Sequence, residues 1–367
     1  MTSLRIGILG TRGIPNRYGG FEQCAEYLAA GLVKKGHNVW VYNSHDHEYK
    51  QDNWQGVNII HCYDPERKIG TAGQFIYDLN CFNDARKRKF HVLLQLGYTS
   101  SSIWYKLWPR NCKNVVNMDG LEWKRSKYSP KVQKFLKHAE RWAAMNADVL
   151  VADSVGIEKY LSEEYKRPSH FIAYGADVFN DPYEPLLEKY DVKRFDYNML
   201  MARMEPENNI ETILKAHVLS GTGRPLLVIG KTENKFGKYL VETYGHKPGI
   251  RFLGGIYDIA IINNLRYFSH LYFHGHSVGG TNPSLLEAMG SNSLIAAHDN
   301  LFNRGVLGED AFYFSDVEQL ISIIRQVAAK TGYHTMLDNN TRKIRDQYNW
   351  PHIVDEYEKV LLAAVKL

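Results

Sequence analysis

The 367-residue chain is 44% hydrophobic, 23% charged and 13% aromatic, a composition that excludes a disordered polymer. Its longest apolar runs, such as YLAAGLV at 27–33, fall far short of the roughly 20 residues that cross a bilayer, and its length exceeds a single core, so two domains are expected. The net charge of +5 is uneven: residues 1–180 carry 25 Lys and Arg against 18 Asp and Glu, while 181–367 carry 20 against 22. A basic first half suggests a phosphate-rich partner or an anionic surface.

The strand-like run LRIGILG (4–10) begins within a few residues of Met1, which leaves no room for a secretory leader, so a cytoplasmic location is expected. Next comes GTRGIPNRYGGFE (10–22), where four glycines and two arginines precede a helix that starts near Phe21. Such a loop permits close backbone approach, and the helix N-terminus offers N–H groups to an anion or a sugar; Gly19 and Gly20 are its candidate contacts. It is neither the dinucleotide fingerprint, because no G-x-G occurs, nor a P-loop.

NVWVYNS (38–44), HVLLQLG (91–97), NVVNMDG (114–120) and DVLVADS (148–154) read as further buried parallel strands. Between the last two, KVQKFLKHAERWAAM predicts a helix presenting Val132, Phe135, Leu136, Ala139 and Trp142 on one face. Cys24, Cys62, Cys81 and Cys112 show no C-x-x-C spacing and read as free buried thiols. The stretch from about 174, rich in Asp, Pro, Asn and Tyr, reads as an interdomain linker at 179–196.

Strand runs resume at YNMLMAR (197–203), PLLVIG (225–230), IRFLGG (250–255), HLYFHG (270–275), SLIAAHD (293–299) and AFYF (311–314), and two amphipathic helices close the chain. This alternation predicts an α/β protein of two doubly wound, Rossmann-like domains, with boundaries at 1–178 and 197–350.

In HGHSVGGTNPSLLEAMG (274–290), Asn282-Pro283 is a good cap and first turn for a helix, and Glu287 sits about one turn inside it. A carboxylate there can accept from two vicinal hydroxyls, such as those of a ribose, while the helix N–H groups meet a diphosphate. His270, His274 and His276 invite a metal reading, but no acidic ligand is near them in sequence, and none is expected.

Together these stretches resemble the retaining glycosyltransferases of the two-Rossmann GT-B fold, family four. GTRGIPNRYGGFE is similar to a bacterial branch that contains rhamnosyltransferases of surface-polysaccharide assembly. LVKKGHNVWVY (32–42), AERWAAMNADVLVADS (139–154), IAYGAD (172–177) and YNW (348–350) extend the likeness along nearly the whole chain. The resemblance implies two domains facing across a cleft, with the helix of residues 351–367 crossing back to the N-terminal domain.

It further implies that Glu287 is the second glutamate of the family's E-x7-E motif and binds the nucleotide ribose. The first glutamate position holds Gly279, so donor-sugar contacts pass to Gly280, Thr281 and Asn282. Arg203 matches the diphosphate-binding arginine of the family's R-x-x-x-x-K stretch, whose lysine position holds Asn208; Lys231 or Lys235 could replace that cation. Asp119 stands where the family carries a residue facing the acceptor and is the candidate catalytic or sugar-orienting carboxylate, with Glu122 second.

The expected activity is transfer of a hexose, rhamnose among the options, from a dTDP- or UDP-linked donor to a saccharide acceptor, lipid-diphosphate-linked, with retention and without metal or cofactor. ARKRK (85–89), 105–113 and 122–138, interleaved with Trp104, Tyr105, Trp108, Trp123 and Tyr128, suggest peripheral contact with an anionic membrane at its inner face. Nucleic acid is not expected, since no binding motif accompanies the charge. Two alternatives stay open: an inactive sugar-nucleotide-binding protein, and another two-Rossmann enzyme such as a sugar-nucleotide epimerase or a nicotinamide oxidoreductase.

Overall fold

Continuous β-branched runs have no polar face to show water, so they are stable only when helices cover both sides of a parallel sheet. The computed structural model describes residues 3–17, 19–125 and 127–367, and in it these runs build two such sheets. The chain divides into two compact units: 1–124 with 128–175 and 350–367, and 125–127 with 176–349.

The first unit holds β1 (Arg5–Leu9), β2 (Asn38–Ser44), β3 (Asn53–Trp54), β4 (Val57–Cys62), β5 (Val92–Leu96), β6 (Lys113–Asn117), β7 (Val149–Ala152) and β8 (His170–Phe171). Their order is β3-β4-β2-β1-β5-β6-β7-β8, parallel except for the β3–β4 pair. The order reverses between β1 and β5, so the loops after these strands flank the unit's ligand crevice. Ile6, Ile8, Val39, Val41, Leu93, Val115 and Leu150 are fully buried in its core.

The second unit holds β9 (Asn198–Met201), β10 (Leu226–Ile229), β11 (Ile250–Gly254), β12 (Tyr272–His274), β13 (Ile295–His298) and β14 (Phe312–Phe314). All pairs are parallel, in the order β11-β10-β9-β12-β13-β14, and the reversal lies between β9 and β12. Leu200, Val228, Phe273, Ala296 and Phe314 pack against Ile213, Leu214 and Leu320 in one apolar cluster.

The terminal helix Trp350–Lys366 belongs to the first unit. Trp350 stacks on Tyr27 with ring centroids 4.3 Å apart, Tyr357 accepts from Asn117 Nδ2 at 2.8 Å, and Lys35 pairs with Glu358 at 2.7 Å. Gly31 lets this helix approach, since a Cβ there would lie 2.6 Å from Val354.

Two sequence expectations change. On helix Pro130–Asn146 the buried stripe is Leu136, Ala139, Glu140, Ala143 and Ala144, whereas Val132 is exposed and Phe135 and Trp142 pack on each other and on Phe75. Residues 179–196 are stitched to the second unit through Phe179 N–H to Gly290 O, Tyr183 N–H to Asn264 Oδ1 and Phe195 N–H to Phe268 O.

Candidate functional site

In the second unit the loops after β9 and β12 meet at the strand reversal. Asn209 Nδ2 donates to Gly275 O at 2.8 Å, and Ser277 donates to Glu207 O through both its N–H (3.1 Å) and its hydroxyl (2.7 Å). Gly275 is required at this seam, since a Cβ would fall 2.1 Å from Asn208 O. Beyond it Asn282 caps helix Pro283–Gly290, its Oδ1 accepting from Ser284 N–H at 3.0 Å and from Ser284 Oγ at 2.8 Å.

Gly279 has φ +129, a backbone state that side chains rarely adopt, with open space around its Cβ position. Thr281 is buried and Gly280 partly so, while His276, Val278, Gly279, Gly280, Asn282 and Phe302 line a small recess.

Glu287 is half-buried and pairs with Arg266 at 2.7 Å. Arg266 is 0% exposed; it also donates to Asn263 Oδ1 at 3.1 Å and to Met201 Sδ, and its guanidinium lies 5.8 Å from the Tyr272 ring. The arginine fixes the carboxylate one turn inside the helix, at the end of the two central strands. Nothing in the sequence distinguished Arg266 from a surface arginine.

Arg203 is exposed, and among the described residues its side chain pairs with no acid. Asn208 donates to Arg203 O at 2.8 Å and so shapes the loop. Lys231 lies 5.4 Å from the Tyr257 ring, and Lys235 opens helix Lys235–Tyr244, whose cap Asn234 donates to Met204 O at 2.7 Å. Arg125 and Lys127 pack with this unit, Arg125 3.7 Å from Glu207 and Lys127 3.8 Å from Glu205.

The rings of His274 and His276 stack at 4.4 Å. Burial, then the charges of Arg203 and Arg125, pushes His276 down to about 3, and burial with the neighbouring His276 and Arg266 holds His274 well below the usual histidine range. Both are neutral imidazoles at pH 7. His270 lies apart from them, bonded to Val327 O at 3.1 Å. Among the described residues no group of three or more His, Cys, Asp or Glu is placed to hold a metal ion.

In the first unit two glycines of the opening loop answer to packing. A Cβ on Gly10 would come within 2.2 Å of Leu96 O, and one on Gly13 within 2.3 Å of Asn43. Arg12 is clasped by Glu66, at 2.8 and 2.7 Å. Gly19 differs: its backbone is extended, a Cβ there would meet only a Glu22 oxygen, at 3.4 Å, and it precedes helix Gly20–Lys34 with no side-chain cap. The absence of a side chain at Gly19 leaves the helix N-terminus approachable.

Asp119 follows β6 in a left-handed conformation (φ +36), with its N–H on Asn117 Oδ1 at 3.0 Å. Asp153, buried at the end of neighbouring β7, is held well above the carboxylate range by burial and then by the Asp119 charge. The next turn, with Glu122, is anchored through Trp123, whose indole donates to buried Glu140 at 3.1 Å; Tyr160 and Tyr165 each donate to Glu140 at 2.6 Å.

Among the aromatics of the basic segments, Trp104 donates to Phe75 O at 2.8 Å, buried Trp108 to Ser101 O at 3.2 Å, and Tyr105 stacks on Trp142. Of the basic residues there, Lys106, Arg110 and Lys113 line a cavity of about 610 Å³ at the amino ends of β5 and β6. No helix among the described residues is long and apolar enough to cross a membrane.

A family described as a domain of unknown function (DUF1972) matches residues 4–177. No curated protein matches the chain. Among solved structures, sucrose-phosphate synthase from Thermosynechococcus elongatus is 17% identical with a TM-score of 0.79, covering 98% of this chain and 100% of that one. Anabaena HepE in complex with UDP and glucose is 16% identical with a TM-score of 0.76, covering 98% and 100%. The α,α-trehalose 6-phosphate synthase of Burkholderia multivorans is 10% identical with a TM-score of 0.71, covering 100% and 98%. The chain therefore has the α/β fold with parallel sheets of GT-B glycosyltransferases.

Proposed function

We propose that this protein is a glycosyltransferase that takes a hexose from a nucleoside-diphosphate sugar. The observation that carries this reading is Glu287, fixed by buried Arg266 beside a capped helix N-terminus and a glycine loop at the strand reversal of the second unit. A carboxylate held there accepts from both ribose hydroxyls, and the N–H groups of Gly280, Thr281 and Asn282 with Arg203 meet the diphosphate. Lys231 and Lys235, on either side of Asn234, which is tied to Met204, add positive charge.

In the reaction the bond from the anomeric carbon to the diphosphate oxygen breaks, and its electron pair leaves with the diphosphate. The acceptor oxygen bonds the same carbon and its proton passes to the departing phosphate oxygen. Preorganised cations and N–H groups stabilise the growing negative charge. Asp119 orients the acceptor hydroxyl on the first unit, with Gly19 and Gly20 leaving room for a sugar.

Front-face transfer with retention, a dTDP- or UDP-linked donor, rhamnose as a transferred sugar and a lipid-diphosphate-linked acceptor complete the proposal, and no cofactor or metal enters it. The basic cations of the first unit would meet an anionic membrane at its inner face. Gly279 and Asn208, which replace the family's glutamate and lysine, favour a second reading, a protein that binds sugar nucleotides without transferring the sugar.

Thermal-shift measurements with UDP, dTDP and NAD test the class. Stabilisation by UDP or dTDP supports the proposal, and stabilisation by NAD alone overturns it. Release of nucleoside diphosphate from a sugar donor in the presence of a saccharide or lipid-linked acceptor separates transfer from mere binding.

A further inference from the structure

The cavity of about 610 Å³ at the amino ends of β5 and β6 is lined by residues of the first unit alone. Ligands of doubly wound sheets bind at the carboxyl ends of the strands, so this cavity lies at the opposite end of the sheet from the crevice between β1 and β5. We infer that it is a second ligand site, which takes a polyol phosphate, that is, a phosphate ester whose body carries hydroxyl groups. The inference is independent of the nucleotide reading above.

The sheet fixes the floor of the cavity. Lys113 N–H donates to His91 O at 3.0 Å, Asp148 N–H to Asn114 O at 3.0 Å, and Asn114 N–H to Asp148 Oδ2 at 2.8 Å. Buried Asn114 also donates through Nδ2 to Pro109 O at 2.9 Å, which ties down the segment that presents exposed Arg110. Phe90 and Trp108, both buried, form an apolar wall with Tyr105. The Trp108 indole N–H is spent on Ser101 O, so that wall offers rings and not donors.

Three cations, Lys106, Arg110 and Lys113, line the cavity against one carboxylate, Asp148. Lys113 stands 3.9 Å from Asp148, whereas among the described residues Lys106 and Arg110 pair with no acid. The helix that ends at Asn146 does not consume them, because the carbonyls of Trp142, Ala143 and Ala147 accept from Asn146 Nδ2, Ala147 N–H and Arg167. His91 accepts from Arg5 N–H through Nδ1 at 3.0 Å, which leaves its Nε2 to donate. Two unmatched cations with that donor complement a phosphate ester. Asp148 would repel a phosphate but accepts from hydroxyls, so it selects a ligand whose charge lies at one end and whose hydroxyl groups lie at the other. Exposed Arg86, Lys87 and Lys89 lead directly into Phe90, which makes the approach basic as well.

Calorimetry on the full chain with glycerol 3-phosphate, glycerol and inorganic phosphate tests the site, and flotation with phosphatidylglycerol or phosphatidylcholine vesicles distinguishes a lipid headgroup from a free ester. Glycerol 3-phosphate should bind saturably, inorganic phosphate more weakly and glycerol not at all. Arg110→Gln should weaken the ester by about tenfold, while Lys87→Gln, which removes a cation outside the lining, should leave it unchanged. Both positions are exposed, so the variants should melt like the wild type. Flotation with phosphatidylglycerol that Arg110→Gln abolishes would make a lipid headgroup the source of the ester, and binding of glycerol 3-phosphate without flotation would make it a free one. Neither binding nor flotation, equal losses in Arg110→Gln and Lys87→Gln, or inorganic phosphate bound as tightly as its ester would overturn the proposal.

Discussion

The two units differ in the buried ionisable groups whose charge desolvation suppresses most. In the first, burial pushes Asp78 up to about 7 and, with the Asp119 charge, holds Asp153 well above the carboxylate range. In the second, burial pushes His217 and His270 down to about 4, His276 down to about 3 and Lys330 down to about 7. Each shift suppresses the charged form, as desolvation requires. The second unit's candidate site carries Arg203, Lys231 and Lys235 together with the Glu287 carboxylate that Arg266 fixes.

The contrast is most easily broken at the buried ion pair. Arg266→Met should destabilise the protein by roughly 3 kcal/mol in a urea titration, because it leaves the Glu287 carboxylate without its buried partner. Glu140→Gln in the first unit should lose only about 1–2 kcal/mol, since the tyrosine hydroxyls can turn to accept from the amide nitrogen, the oxygen can keep the indole, and the charge lost is that facing Lys137. Equal losses would show that burying the arginine charge has no special weight.

Acid should separate the units next. The buried histidines have folded pKa values below 6.5, so between 6.5 and about 4 the unfolded chain binds more protons and the second unit loses stability as pH falls. Asp78 behaves in reverse: its folded value of about 7 lies above 3.8, so the folded state binds the extra proton and the first unit gains stability over that fall. Hydrogen exchange should therefore accelerate in β9, β10 and β12 before β1, β5 and β6, and simultaneous loss in both sheets would contradict this.

Alkaline conditions give a separate test at Lys330, whose folded pKa of about 7 lies below 10.5. The unfolded chain binds the extra proton between those values, so stability should rise with pH there. Lys330→Met should flatten that rise in Tm, and an unchanged slope would assign it to other groups.

Much of this was legible in the sequence, because continuous β-branched runs admit few readings. The runs at 4–10, 91–97, 225–230 and 270–275 each become a central strand, and Asn282-Pro283 opens its helix as cap chemistry requires. VNIIHC at 57–62 became β4 without having been marked, since it is short and carries Asn and His within it. Gly279 was visible in the sequence, but its φ of +129, strained for any side chain, was not. Arg266 stayed hidden because its meaning lies in a partner 21 positions away, Glu287. Single-chain periodicity has no access to such pairings.

The central claim is that the second unit grips a nucleoside diphosphate through Glu287. Calorimetric titration of UDP and dTDP into wild type and Glu287→Gln tests it most directly, since glutamine keeps the side-chain volume beside Arg266 that alanine would remove. The account predicts saturable binding by wild type and an affinity at least about tenfold weaker in the variant, with the fold intact by circular dichroism. Equal affinity in the two proteins, or no nucleotide binding by wild type, would contradict it.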